Sequence, residues 1–256
     1  MKAKSKKIRW GHVLPMYLMI LPGLVYLICN NFIPMFGIMI AFKKLSFRKG
    51  LMKSPWVGLD NFKYLFTSDT AAVIIRNTVL YNLLFIILGT VISIAMAILL
   101  NEITKKKLQS TYQTIILLPF LMSWVVVSYL VNAFLATDTG LINTMIRGAG
   151  GEAVNWYMEP KYWPFILTFV NIWKGTGYSI IVYLATLVGI STEYYEAAKI
   201  DGATKWQQIK DITLPLLKPT VITMTILSIG RIFASDFGLF YQIPRNSWLK
   251  ASQWAV

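Results

Sequence analysis

Three ionisable side chains stand inside stretches that are otherwise apolar: Lys174, Arg231 and Asp236. A charge held away from water is costly, so such residues face a bundle interior, a water-filled path or a partner charge. Lys174 belongs to Asn171-Ile-Trp173-Lys174-Gly-Thr-Gly-Tyr178. In that stretch, indole and phenol faces suit the apolar C–H face of a sugar, while Asn, Lys and Thr can hydrogen-bond its hydroxyls. Asn171, Trp173, Lys174 and Tyr178 are therefore candidates for a substrate path. Helix packing, with Lys174 extending its ammonium to the membrane surface, accounts for the same residues equally well. Arg231 and Asp236 are five residues apart, out of phase for an i,i+4 pair on one helical face. They read as residues of an outer mouth, as partners of another subunit, or as a pair.

Other chemistries are excluded by what the chain lacks. No Gly-x-x-x-x-Gly-Lys-[Ser/Thr] loop is present to cradle phosphates, so this chain is not expected to bind ATP. One histidine, His12, and one cysteine, Cys29, provide neither a metal-ligand cluster, nor a disulfide, nor a nucleophile–histidine pair. The sequence predicts no catalytic residues, no metal and no cofactor of its own, and hence a non-enzyme that takes its energy from a partner.

The longest polar, helix-coded segment between two apolar runs is Glu193–Pro219. Asp201-Gly202 is a helix stop, because Gly accepts the left-handed conformation that follows a last helical turn. Thr204 with Gln207 three residues on fits a capping box opening a second helix, and Pro215 is expected to end it. Ala197, Ala198 and Ala203 keep the turn narrow. Glu196-Ala197-Ala198, then Asp201-Gly202-Ala203, then Ile212-Thr-Leu214-Pro215 resembles the Glu-Ala-Ala loop of permease subunits of bacterial ATP-binding-cassette importers. The bland alternative is a surface helix-turn-helix joining two spans, which needs a capped turn but not this order of Ala, Gly and Pro. The resemblance implies a cytoplasmic coupling helix, with Glu196, Ala197, Ala198, Asp201, Gly202, Ala203, Leu214 and Pro215 docking in a groove of the ATPase. It further implies an ATP-binding-cassette ATPase dimer that binds the ATP, a second homologous permease and an extracytoplasmic solute-binding protein. Trp56-Val-Gly-Leu-Asp60-Asn-Phe62 and Ile229–Tyr241 resemble the carbohydrate and oligosaccharide branch of the same permeases.

The elements that must position these residues follow from hydropathy. Of the 256 residues, 56% are hydrophobic and only 14% charged, a composition for a polytopic membrane protein. The net charge of +14 arises from basic residues between apolar runs, where anionic lipid headgroups attract them; nucleic acid is not an expected partner. Apolar runs near 13–41, 78–100, 112–135, 162–190 and 220–242 each exceed the roughly 20 residues needed to cross a bilayer. Pro15, Pro22 and Pro34 are expected to kink the first run or to split off a short interfacial helix. Lys2–Arg9 holds that end in the cytoplasm, and the run is too long for a cleaved signal. Residues 42–76 form a first outer loop. It carries seven Lys and Arg against twelve on the cytoplasmic segments, so the charge bias is only partly obeyed.

The expected architecture is all-α: a single permease domain over 1–256, a transmembrane helical bundle of the type I ABC importer kind. It has about five spans, a coupling loop at 191–220, and an atypical end at 248–256 without the usual sixth span. The function it implies is ATP-driven import of a sugar or oligosaccharide across the bacterial cytoplasmic membrane. A secondary transporter or channel, using Lys174, Arg231 and Asp236 as its ion pathway, and a non-transporting fragment remain as alternatives.

Overall fold

The computed structural model describes residues 10–46, 48, 50–67 and 69–245. The expectations for Lys2–Arg9 and for 248–256 lie outside the described residues. Among those residues the chain is helical, with one isolated antiparallel bridge, Lys43 to Trp56. Contacts divide it into two compact units, Met1–Ala71 and Ala72–Val256.

The first unit opens with α1 (Trp10–Leu27). This helix continues through a π turn at Ile28–Phe32, α2 (Ile33–Met35) and a 3₁₀ segment at Phe36–Phe42, so that Leu14–Phe42 is long and apolar enough to span. Pro15 and Pro22 sit inside α1 without interrupting it. No separate interfacial helix is split off among the described residues. The adjustment falls around Pro34, where the missing N–H and the ring are accommodated by a wider π turn before it. Short helices α3 (Gly50–Lys53) and α4 (Asp60–Thr67) follow. The Trp56–Phe62 stretch is tied back by Val57 N–H to the Phe42 carbonyl, 2.9 Å, and by the Asn61 amide to the Ala41 and Lys43 carbonyls, 2.9 and 3.0 Å. Lys43, one of the seven basic residues of this loop, is buried and donates to the Met52 carbonyl beneath the Trp56 ring.

The next element is α5 (Asp69–Asn101), of which Ala71–Asn101 qualifies as a span. Helix therefore begins several residues before the expected 76, in a polar first turn that apolar runs do not mark. The expected third span, 112–135, is not one helix. It is α6 (Lys106–Leu121) and α7 (Trp124–Leu135), bent by 100°. Met122 and Ser123 are extended at the break, and the Ser123 hydroxyl accepts the Val126 N–H as the N-cap of α7. A serine that can close a helix start lets the chain turn where Pro119 has already weakened the preceding turn.

Beyond α7, the loop from Thr137 contains a helix, α8 (Leu141–Gly148). Its hub is the fully buried Asn143, whose amide donates to the Ala136, Thr137 and Val154 carbonyls and whose oxygen accepts from Val154 N–H and Trp156 Nε1. In the same loop, burial pushes the Tyr157 phenol upward, partly countered by Arg245. Then come α9 (Trp163–Val188), α10 (Thr192–Ile200), α11 (Lys205–Gln208) and, after a π turn at Ile209–Thr213, α12 (Leu214–Ile229). Lys205–Ile229 is a continuous helical stretch long and apolar enough to cross a membrane, with most of its charged and amide side chains gathered at 205–211. Pro215 thus does not end a helix. It lies just after the π turn Ile209–Thr213, whose wider register accommodates the missing N–H and the ring. The helix expected at 220–242 accordingly ends at Ile229, and Arg231 and Asp236 lie beyond its end.

Two apolar clusters hold the second unit together. One gathers Tyr81, Val127, Trp163, Leu167, Val170, Leu239 and Ile243; the other gathers Ala97, Leu100, Ile180, Tyr183, Leu184, Leu187 and Leu217. Large apolar side chains elsewhere, among them Leu80, Val91, Leu99 and Phe169, are exposed. That pattern suits a chain whose solvent is lipid.

Candidate functional site

Between the α9 residues of the first cluster, which end at Val170, and those of the second, which begin at Ile180, one face of 171–179 lines a cavity. The helices α5, α9 and α12 enclose about 540 Å³ there. From α9 it takes Asn171, Gly175, Thr176 and Ser179; from α5, Asn82, Thr90 and Ser93; from α12, Met224 and Ser228. Arg231 and Asp236 also line it, both of them exposed, with Phe85, Phe237 and Phe240 as aromatic walls. Hydroxyls, amides and ring faces in one concave site suit a polyhydroxylated ligand.

Of the six residues predicted for a substrate path, the structure brings Asn171, Arg231 and Asp236 together around this cavity. Trp173, Lys174 and Tyr178 are not on its wall. Tyr178 stacks on Phe120 at 5.6 Å, and the Lys174 ammonium donates to the Phe120 carbonyl at 3.0 Å. That ammonium also lies 4.9 Å from the centroid of the Trp124 ring. Lys174 therefore occupies the α6–α7 break, where a carbonyl freed at the end of α6 needs a donor. Of the two glycines nearby, Gly177 lets α9 approach α6, since a Cβ there would lie 2.6 Å from the Ile116 carbonyl oxygen. Gly175 faces the cavity, and α9 is unbroken at both.

The turn that carries Arg231 and Asp236 is fastened from afar. Asn82 Nδ2 donates to the Ile232 and Ala234 carbonyls, 2.9 and 3.1 Å. Asp236 accepts from Trp124 Nε1 at 3.1 Å through one oxygen and from the Gly238 and Leu239 N–H groups through the other. It thereby caps the π turn Gly238–Gln242, of which Leu239, with Ile243 just beyond, enters the first apolar cluster. Gly238 is required because the Trp124 indole occupies the space a Cβ would take. Arg245, in a left-handed conformation, donates to the Ser128 hydroxyl at 3.2 Å and stands over the Tyr129 ring.

At the opposite end, α10 and α11 form a short antiparallel projection. Ser191 caps α10, and Gly202 at φ +80° closes it. Ala203 N–H bonds the Ala198 carbonyl at 2.8 Å and Gly202 N–H the Lys199 carbonyl at 3.1 Å, the paired bonds of a Schellman stop. Thr204 and Gln207 make the capping box. The Tyr195 hydroxyl meets Thr213 Oγ1 at 3.0 Å, and Lys205 pairs with Glu102 at 2.6 Å, fastening the projection to the base of α12 and the end of α5. Glu196, Ala197, Asp201, Gly202, Leu214 and Pro215 are exposed, and Ala198 and Ala203 are half-buried. Ile200 is 87% exposed and Trp206 69%, two bulky apolar side chains flanking the Gly202 turn and left largely uncovered by this chain.

The family model for the binding-protein-dependent transport system inner membrane component matches residues 89–237, which include most of the cavity and all of the projection. The chain belongs to this family. It is a multi-pass permease of the cytoplasmic membrane. The permease is 38% identical over 84% of its length to the polygalacturonan/rhamnogalacturonan transport system permease protein YteP of Bacillus subtilis, of which it covers 67%. Among solved structures it is similar to a chain of a bacterial ABC transporter involved in the import of the acidic polysaccharide alginate. There the TM-score is 0.81 with 33% identity, covering 91% of the permease and 78% of that chain. A second structure of a bacterial alginate ABC transporter, in complex with an alginate pentasaccharide-bound periplasmic protein, has a TM-score of 0.76 at 33% identity, covering 88% and 76%.

Sequence reasoning missed Asn82 and Trp124 in the permease, because each acts through partners distant in sequence, and it missed Ser93, a small polar residue inside an apolar run whose burial only the packing reveals. It also missed Ile200 and Trp206, whose signal was legible: bulky apolar residues on both sides of Asp201-Gly202 in an otherwise polar segment.

Proposed function

We propose that this permease admits an oligosaccharide into the cavity between α5, α9 and α12 and carries it inward when an ATPase acts on the α10–α11 projection. The projection is the single observation that carries the reading. It is a rigid, locally closed turn that displays Ile200 and Trp206 to solvent, an arrangement that serves a docking partner and would be a liability without one. Its position at the base of α12 supplies the transmission. A push on α10 reaches α12 through Tyr195–Thr213 and α5 through Lys205–Glu102, and both helices wall the cavity. The ATP is assigned to an ATP-binding-cassette ATPase dimer, because the sequence of this chain has no Gly-x-x-x-x-Gly-Lys-[Ser/Thr] loop to cradle its phosphates. A second homologous permease completes the path, and an extracytoplasmic solute-binding protein delivers the saccharide. Relatives named for polygalacturonan, rhamnogalacturonan and alginate support a saccharide cargo.

The reading is tested by co-purification. Wild-type permease is expected to retain the ATPase, and Ile200→Glu with Trp206→Glu to lose it while still reaching the membrane with its companion permease. An ATPase that stays bound to the double variant would overturn the docking assignment.

A further inference from the structure

Three charged side chains lie in or beside the mouth of the cavity, and two are already engaged. Asp236 spends both oxygens, on Trp124 Nε1 and on the Gly238 and Leu239 N–H groups. Lys174 gives its ammonium to the Phe120 carbonyl and the Trp124 ring, off the cavity wall. Arg231 is on the wall, is exposed, and has no side-chain hydrogen bond or ion pair among the described residues. Its backbone is nevertheless held in place, because Asn82 from α5 spends both of its bonds on the neighbouring Ile232 and Ala234 carbonyls. A positioned guanidinium with nothing to pair with is a carboxylate receptor: its fork of N–H donors matches two carboxylate oxygens, and apolar walls around it strengthen the field. Deeper in the same cavity, along roughly 16 Å of α5, Ser93 has a fully buried hydroxyl with no partner among the described residues. It offers a donor and an acceptor to a ligand that reaches that far.

We infer that the cavity selects an acidic oligosaccharide, with Arg231 pairing with a sugar carboxylate at the mouth and Ser93 meeting a sugar hydroxyl inside. The inference rests on the saccharide path proposed above and adds the charge of the cargo and the residue that reads it.

The test is equilibrium binding of trigalacturonate and of its methyl ester to the assembled permease–ATPase complex, without solute-binding protein, in phosphatidylcholine nanodiscs. The two probes share length and hydroxyls and differ in charge. Wild type is expected to bind the acid about tenfold or more tightly than the ester, as a charge-assisted pair predicts, and that preference is expected to shrink as salt rises. Arg231→Gln is expected to abolish the preference for the acid over the ester, and Arg231→Lys to keep part of it. Equal binding of acid and ester by wild type, or a preference that survives Arg231→Gln, would overturn the assignment. So would loss of the preference on adding phosphatidylglycerol, which would make Arg231 a lipid-headgroup site. If Arg231→Gln fails to assemble, the salt dependence of the wild type decides. Binding of neither probe sinks the saccharide path itself, and binding of both alike sinks only the role of Arg231.

Discussion

Two turns follow helices at opposite ends of this permease and are held by opposite means. The turn at Gly202 is closed by its neighbours: a Schellman pair reaching back to Ala198 and Lys199, and a capping box between Thr204 and Gln207. The turn from Arg231 to Asp236 is closed by strangers. Asn82, 150 residues earlier, holds its carbonyls, and Trp124, 112 residues earlier, holds Asp236. A locally closed turn keeps its shape whatever the helices around it do, which suits a lever pushed by a partner. A turn fastened across three helices has a shape that depends on how they are arranged. Under the transport cycle proposed above, a change between inward- and outward-facing states is expected to alter the second turn and leave the first intact.

The comparison is tested most severely at Gly238. A side chain there must displace the Trp124 indole, and with it the indole's bond to Asp236 and its face to Lys174. Gly238→Val is expected to cost about 3 kcal/mol, the upper end of the overpacking range. That loss would appear as a lower thermal midpoint of the purified assembly and the abolition of uptake; unchanged uptake would mean that the turn needs no tertiary clasp. Next in size is Asn82→Ala, which strips the donor from two carbonyls and should cost about 1–2 kcal/mol. Uptake is expected to fall while the ATPase stays bound. Loss of the ATPase from this variant would show that the two ends are not held independently.

The same contrast explains what could be read in advance. The helix stop at Gly202 and the capping box are rules of local stereochemistry, and both stand in the structure at the residues that carry the motif. The number and rough placement of the apolar runs follow from composition in the same way. The α6–α7 break was legible only in part. Pro119 and Ser123 are both visible, yet the apolar run passes through them, and hydropathy alone makes one span of two helices set 100° apart. Nothing in the sequence reveals Asn82 as a clasp, since an asparagine near the start of an apolar run has many uses. Nor does spacing reveal that Arg231 and Asp236 lie past the end of their span. The run stays apolar through Phe240 while the backbone leaves the helix at Ile229, and the packing of Leu239 and Ile243 against Val127 decides where the chain goes.

At the local turn smaller effects are expected, and they separate two roles of one glycine. A Cβ at Gly202 would meet no atom within 4 Å, so any cost comes from its φ of +80°. Gly202→Ala should cost about 1 kcal/mol and lower the ratio of solute taken up to ATP hydrolysed. Gly202→Asn should do much less, because asparagine tolerates the left-handed region. If both variants uncouple equally, the partner needs the bare backbone there and local closure is not what glycine supplies.

The smallest effect should come from Lys205 and Glu102, the ion pair that joins the projection to the end of α5. At 2.6 Å its geometry is good, but the two side chains are 63% and 47% exposed, and water and salt screen such pairs to below about 1 kcal/mol. A double-mutant cycle of Glu102→Gln and Lys205→Met should therefore return a coupling of a few tenths of a kcal/mol in stability, vanishing at high salt. Transport has a different sensitivity. If the pair passes motion from the projection to α5, either single variant should lower uptake per ATP hydrolysed, while ATPase binding stays at the wild-type level. The double variant should then do no worse than the worse single. Uptake per ATP that is unchanged in both singles would leave Tyr195–Thr213 and the continuous helix into α12 as the only mechanical link, and α5 would then be a passive wall.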